Sequence, residues 1–155
     1  MRLPQHEGAT LVAGTVFLVR DDDTLSEAFW AVARRLRHRT KASLEPWDIS
    51  PSLARAMGVL SRHGDVRLSV LADHLHIVPR SATEVVDDLE RLGFAERGPD
   101  PTDRRAVLVG LTPAGIETSR AIQAARQQES ERFFAELSDA DRSELVRLLG
   151  KLREA

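Results

Sequence analysis

The side chains best suited to chemistry in this sequence are arginines set among turn formers and small hydroxyls. Asp103-Arg104-Arg105 ends the stretch Gly98-Pro99-Asp100-Pro101-Thr102-Asp103-Arg104-Arg105, whose glycine, prolines and aspartates favour a tight loop. An arginine carried on such a tip suits the negative potential of a narrow DNA minor groove. A charged turn with a surface ion pair is the plainer alternative, and such a pair contributes little by itself. Further upstream, Arg80, Ser81, Thr83 and Glu84 follow Pro79 in a helical pattern whose apolar positions are Ala82, Val85, Val86 and Leu89. The stripe leaves Arg80, Glu84, Asp87 and Arg91 facing outward. An arginine there can grip guanine and a glutamate can accept from the cytosine amino group. Ser81 and Thr83 suit phosphate or base contacts. The plainer alternative here is an ordinary solvated helix face.

Other chemistries are excluded or poorly supported. The chain has no cysteine, so disulfides, thiol nucleophiles, thiol redox sensing and cysteine-held zinc are ruled out, and a cytoplasmic location is the natural expectation. His74 and His76 lie two residues apart on a helical pattern and point to different sides, so they do not share a metal. His6, His38 and His63 have no ligand partners at useful spacing, and no metal or cofactor is expected. No nucleophile elbow, glycine-rich phosphate loop or paired catalytic carboxylate motif is present, so an enzyme is not expected. The formal net charge of −2 gives no global basic footprint, and any attraction for nucleic acid has to be local.

Several elements must position these residues. Residues 1–23 read as an extension, either an extra strand or a loosely attached arm. Its apolar run, Thr10 to Val19, is far too short to span a membrane, which takes roughly 20 residues. Thr24 and Glu27 form a capping box ahead of a helix striped by Leu25, Phe29, Val32 and Leu36. The opposite face carries Trp30, Arg34, Arg37 and Lys41. Ser50-Pro51 opens a second helix through Leu53, Ala56, Met57 and Leu60, stopped by Gly64. Val66-Arg67 can pair briefly as a strand. Leu68, Leu71, Ala72 and Leu75 mark a third helix, and the turn Ile77-Val78-Pro79 leads into the fourth, which Gly93 ends. Short helices of this kind are stable only when packed on one another, and two joined by a tight turn make a helix-turn-helix candidate. The period then changes from 3.6 to 2, predicting strands over Phe94–Arg97 and Val107–Leu111 around the charged loop: a hairpin wing. Thr112-Pro113 opens a long helix ending at Phe133, Phe134 and Leu137. Ser138 caps a last helix striped by Leu145, Leu148, Leu149 and Leu152.

This order of elements carries Leu89-Glu90-Arg91-Leu92-Gly93-Phe94-Ala95-Glu96-Arg97, Asp100-Pro101-Thr102-Asp103-Arg104-Arg105 and Leu111-Thr112-Pro113-Ala114-Gly115 in sequence. From about residue 24 to 155 the chain resembles the MarR family of regulators. The resemblance implies a homodimer whose first and last two helices interlock, a recognition helix in the major groove and a wing in the minor groove of double-stranded DNA. It makes Arg105 the working wing arginine, with Asp103 holding an arginine side chain in place. It also implies a pocket for a small aromatic or phenolic acid between the dimer helices and the DNA-binding lobe, for which Trp30, Trp47 and His63 are candidates. Two features depart from the family pattern: Val78 stands where a serine or threonine often caps the recognition helix, and Glu84, Asp87 and Asp88 lie on that helix.

The expected architecture is mainly α with a small β-hairpin wing. Residues 1–23 form the extension, 24–45 a dimerisation helix, 46–112 the winged helix-turn-helix lobe and 113–155 the C-terminal dimerisation helices. Phe133, Phe134, Leu145, Leu148, Leu149 and Leu152 are the expected dimer surface. The leading functional expectation is a ligand-responsive repressor on a near-palindromic site. The alternative is a winged-helix module that binds a protein and has no DNA affinity.

Overall fold

Local hydrogen bonding starts most of the helices where the sequence places them. In the computed structural model, which describes residues 24–154, Thr24 Oγ1 accepts from the Glu27 amide while the Thr24 amide donates to Glu27 Oε2. This box opens α1, Leu25–Ala42. Ser50 Oγ accepts from Leu53 N to open α2, Pro51–His63, and Thr112 Oγ1 accepts from Gly115 N to open α5, Pro113–Phe133. Ser138 Oγ accepts from Asp141 N ahead of α6, Asp139–Glu154. Val78 offers no side-chain bond, so α4, Pro79–Arg91, begins on proline geometry alone. The extension over residues 1–23 lies outside the described residues.

The chain divides into two compact units, residues 1–34 and 35–155. The described part of the first is the N-terminal portion of α1, where Leu25, Phe29, Trp30 and Val32 are all exposed. The second holds the core. Leu53, Ala56, Met57 and Leu60 of α2 bury their stripe with Leu71 and Leu75 of α3 (Leu68–Leu75) and with Val86 and Leu89 of α4. Ile122 of α5, Leu44, Ile49, Ala95 and Val109 join the same cluster. A single 3-10 turn, Glu45–Trp47, connects α1 to α2. Between α3 and α4 the chain reverses through His76 in the left-handed conformation at φ 53°, the strained point of the helix-turn-helix.

The wing differs from its expected form. Strand β2 runs Ala95–Asp100 and β3 runs Asp103–Leu111, so only Pro101 and Thr102 remain between them and most of the expected loop is ladder. Pro99 sits opposite Val107, with an irregularity between Pro99 and Asp100. β1, Val66–Arg67, pairs with the other side of β3, which gives the antiparallel order β1-β3-β2. β2 is therefore an edge strand, where a proline lacking its amide hydrogen is tolerated.

The sequence around Gly115 follows from packing. Thr112 donates from its amide to Phe94 O and from its hydroxyl to Gly93 O. This draws the first turn of α5 so close that a Cβ on Gly115 would stand 1.9 Å from the Phe94 carbonyl oxygen. Only glycine fits there.

Candidate nucleic-acid interface

α4 buries Ala82, Val86 and Leu89 and turns its other side out. Arg80 is extended and nearly fully exposed, with Nε 3.4 Å from Glu84 Oε1 one turn along. Ser81 and Thr83 are half-buried on the flanks, and the Thr83 hydroxyl donates back to Pro79 O. Arg80, Ser81, Thr83 and Glu84 thus share the first turns of one helix.

The acids of this helix are all paired. Arg97 on β2 donates from Nη2 to Asp87 Oδ1 at 2.7 Å and from Nη1 to Glu90. Arg91 donates to Asp88 Oδ1 at 3.0 Å. The negative face expected from Glu84, Asp87 and Asp88 is therefore largely offset by arginines, two on the same helix and one reaching across from the wing. Sequence spacing gave no sign of Arg97, because its partners lie on another element.

The wing tip is held by a buried carboxylate. Asp100 Oδ1 accepts from the Thr102 amide at 2.8 Å and the Thr102 hydroxyl at 2.6 Å, and its Oδ2 accepts from Arg67 of β1. These Thr102 hydrogen bonds, followed by that from Arg67, pull the Asp100 carboxyl down to about 2 from an ordinary 3.8. The same pairing raises Arg67 above its usual value. Asp103 sits beside this centre. Its Oδ2 is 3.4 Å from Arg67 Nη2, and its Oδ1 accepts from the main-chain amide of Arg105 at 3.0 Å. Among the described side chains, the arginine beside Asp103 is Arg67, and the link of Asp103 to Arg105 is through the backbone. Arg105 itself is exposed.

The expected pocket residues have different surroundings within their own units. Trp30 belongs to the first unit and is 55% exposed. Trp47 packs on the core, and His63 stacks on His74 with ring centroids 4.2 Å apart. The sequence put His63 without a partner, yet the α2–α3 packing brings these two rings together. Among the described residues, no third ligand group joins them. A cavity of about 530 Å³ beside the α1–α2 connection is lined by His38, Lys41, Glu45 and Asp48, and one of about 260 Å³ lies between α2 and α5. Trp30, Trp47 and His63 line neither.

The expected dimer surface falls into two parts. Phe133 lies under the guanidinium groups of Arg35 and Arg39, 5.8 and 5.6 Å from its centroid, and meets Phe134 edge to face. These two rings are half-buried within the chain itself, as is Leu145. On α6, Leu148, Leu149 and Leu152 are exposed, at 45%, 40% and 71%, and no residue of that helix is buried.

Comparison with known proteins agrees with this geometry. The model of the MarR family matches residues 49–107, from the entry to α2 into the second strand of the wing. An uncharacterized helix-turn-helix-type transcriptional regulator of Mycobacterium bovis is 33% identical over 118 residues, which cover 76% of this chain and 80% of that protein. A Thauera aromatica relative is 33% identical over 104 residues, and the chain spans 63% of its length. The fold matches that of Staphylococcus aureus MepR in its DNA complex, with a TM-score of 0.71 and 21% identity over 86% of this chain and 98% of that one. No helix among the described residues is long and apolar enough to cross a membrane. With a one-third-identical regulator matched over four-fifths of its length and the family model laid across the helix-turn-helix and wing, the chain belongs to the MarR family of transcriptional regulators.

Proposed function

We propose that this protein is a homodimeric repressor that binds double-stranded DNA in the cytoplasm. α4 enters the major groove, where Arg80 and Glu84 read base edges and Ser81 and Thr83 contact phosphates or bases. Arg105 enters the adjacent minor groove and Arg104 contacts the backbone. The observation that carries this reading is the pairing of every acid on α4 with an arginine, which lets the helix approach phosphates despite its composition. The same pairing weakens the case for a protein partner, which rested on an acidic face. MepR supports it as a structural neighbour crystallised with DNA.

Dimerisation is supported by Leu148, Leu149 and Leu152 of the α6 stripe, which are exposed in the single chain. Two-fold symmetry in the protein implies a near-palindromic site with half-sites about 10 base pairs apart. Residues 24–45 and 113–155 supply the dimer contacts in this reading, and 46–112 the DNA-binding lobe. A small ligand releases DNA by favouring the state whose recognition helices do not match the half-sites, which requires unequal affinity for the two states.

A gel shift with DNA flanking the gene itself, repeated over a range of salt concentrations, tests the reading. Sequence-specific retention that falls linearly on a log–log salt plot is the expected result. A folded dimer that retains neither this DNA nor random sequence at low salt overturns it.

A further inference from the structure

The cleft of about 260 Å³ between α2 and α5 is unusual in its charge. Arg55 and Arg62 on α2 and Arg126 on α5 all line it, and among the described residues no acidic one does. Among the described residues, none of the three arginines has a carboxylate partner; exposed arginines such as Arg34, Arg37 and Arg120 have none either, but only these three meet in this cleft. Arg126 Nε is buried and has no hydrogen-bond acceptor among the described residues. Burial also pushes the Arg126 guanidinium down from its usual pKa. Concentrating three cations in one cleft, one of them partly desolvated, is unfavourable without an anion to offset it.

The walls suit a small polar ligand. Arg62 folds back along α2 over Gly58, where a Cβ would stand in ordinary contact at 3.8 Å from Arg62 Nη1. Ser119 is buried beside the cleft, and Gln123 lies at its rim with an amide that both donates and accepts. Among the described residues no aromatic side chain lines the cleft to stack on a ring. Its volume falls short of the roughly 300 Å³ at which pockets for drug-sized molecules begin.

We propose that the α2–α5 cleft is a binding site for a small non-aromatic polyanion, one bearing two or three carboxylate or phosphate groups. Guanidinium groups bind both kinds of oxyanion through paired N–H donors. The proposal gives a chemical class to the ligand response proposed above and rests on that reading only for its consequence at DNA. Trp30, Trp47 and His63 are not among its lining residues, and its chemistry differs from that of the phenolic acids the family resemblance implied.

Titration calorimetry and thermal unfolding of the full chain without DNA test the site, with citrate and inorganic pyrophosphate as probes. Acetate and salicylate at matched ionic strength are the controls. The expected result is saturable binding of citrate or pyrophosphate at one site per chain, with a raised Tm. The stronger of the two probes tells carboxylate from phosphate. Arg126→Gln and Arg62→Gln each weaken binding about tenfold or more, as loss of a charge-assisted contact requires. Arg126→Lys restores part of it, and Arg120→Gln, on α5 outside the cleft, leaves it unchanged. Circular dichroism checks folding, and Arg62 is exposed, so at least one variant stays folded. The proposal is overturned if neither polyanion binds, if both glutamine variants bind as the wild type does, or if salicylate binds as tightly. It is also overturned if the wild type ignores anions while Arg126→Gln weakens the dimer, because the arginine then serves a partner's carboxylate. Adding the bound probe to the gel shift is a separate arm: binding without any effect on DNA keeps the site and rejects the ligand response.

Discussion

Arg67 donates from both Nε and Nη2 to the same oxygen of Asp100, at 3.0 and 2.7 Å, and so joins the short strand ahead of α3 to the turn at the wing tip. The other Asp100 oxygen accepts from Thr102. One carboxylate therefore shapes the turn and fixes it to the helix-turn-helix, and Arg105 is carried just beyond it.

The Asp100 carboxyl titrates near 2 in the folded chain against an ordinary 3.8. Its contacts are at full strength above 3.8 and are lost as pH falls from there towards 2. Asp100→Asn should flatten this part of the acid unfolding curve and weaken DNA binding at neutral pH, with α-helix content unchanged. Acid titration followed by circular dichroism, wild type against variant, checks it. Superimposable acid limbs would show that the wing is held by something else.

Arg97 ties β2 to α4 through Asp87 and Glu90 on the protein surface. Such pairs are worth at most about 1 kcal/mol, so Arg97→Met should barely change stability. It leaves two carboxylates unpaired on a helix proposed to approach phosphates, and DNA affinity should fall about tenfold or more. Arg97→Lys should recover much of it. Equal losses in urea stability and DNA affinity would instead point to a structural role alone.

Arg105→Ala should weaken operator binding by about 1–3 kcal/mol, the scale of one good groove contact. Arg104→Ala, if that residue meets only a phosphate, should cost less, act evenly across sequences and lower the salt slope by roughly one unit. Affinities measured over several salt concentrations separate the two. Wild-type binding by Arg105→Ala would mean that the wing does not read DNA.

Leu148 is 45% exposed in the single chain, so Leu148→Asp should leave the fold intact. It should lower dimer content and DNA affinity together, as light scattering and gel shifts would report. Full DNA affinity from a clean monomer would sink the dimer reading.

Gly115→Ala would drive a methyl group to 1.9 Å from the Phe94 carbonyl oxygen. Backbone on both sides has to move, and a destabilisation of about 1–3 kcal/mol is expected from overpacking of this kind. A urea midpoint unchanged from wild type would contradict the close approach of α5 to the wing.

Which segments are helices, where four of them start and which face of each short helix is buried can be read from the amino-acid order alone. Those properties depend on interactions within three or four residues and on a fixed period. The Thr24, Ser50, Thr112 and Ser138 hydroxyls all bond to amides three residues on, and the stripes of α2, α3 and α4 repeat every turn. The tertiary structure decided how far the wing strands extend. Turn formers at Gly98 and Pro99 favour a loop, but pairing with β3 on an open edge outweighs that preference. It also decided which charges meet. Arg67 finds Asp100 across 33 residues, Arg97 reaches a different element, and three arginines from two helices share one cleft. No local pattern encodes such meetings, because they arise only once the packed core has fixed where each helix and strand lies.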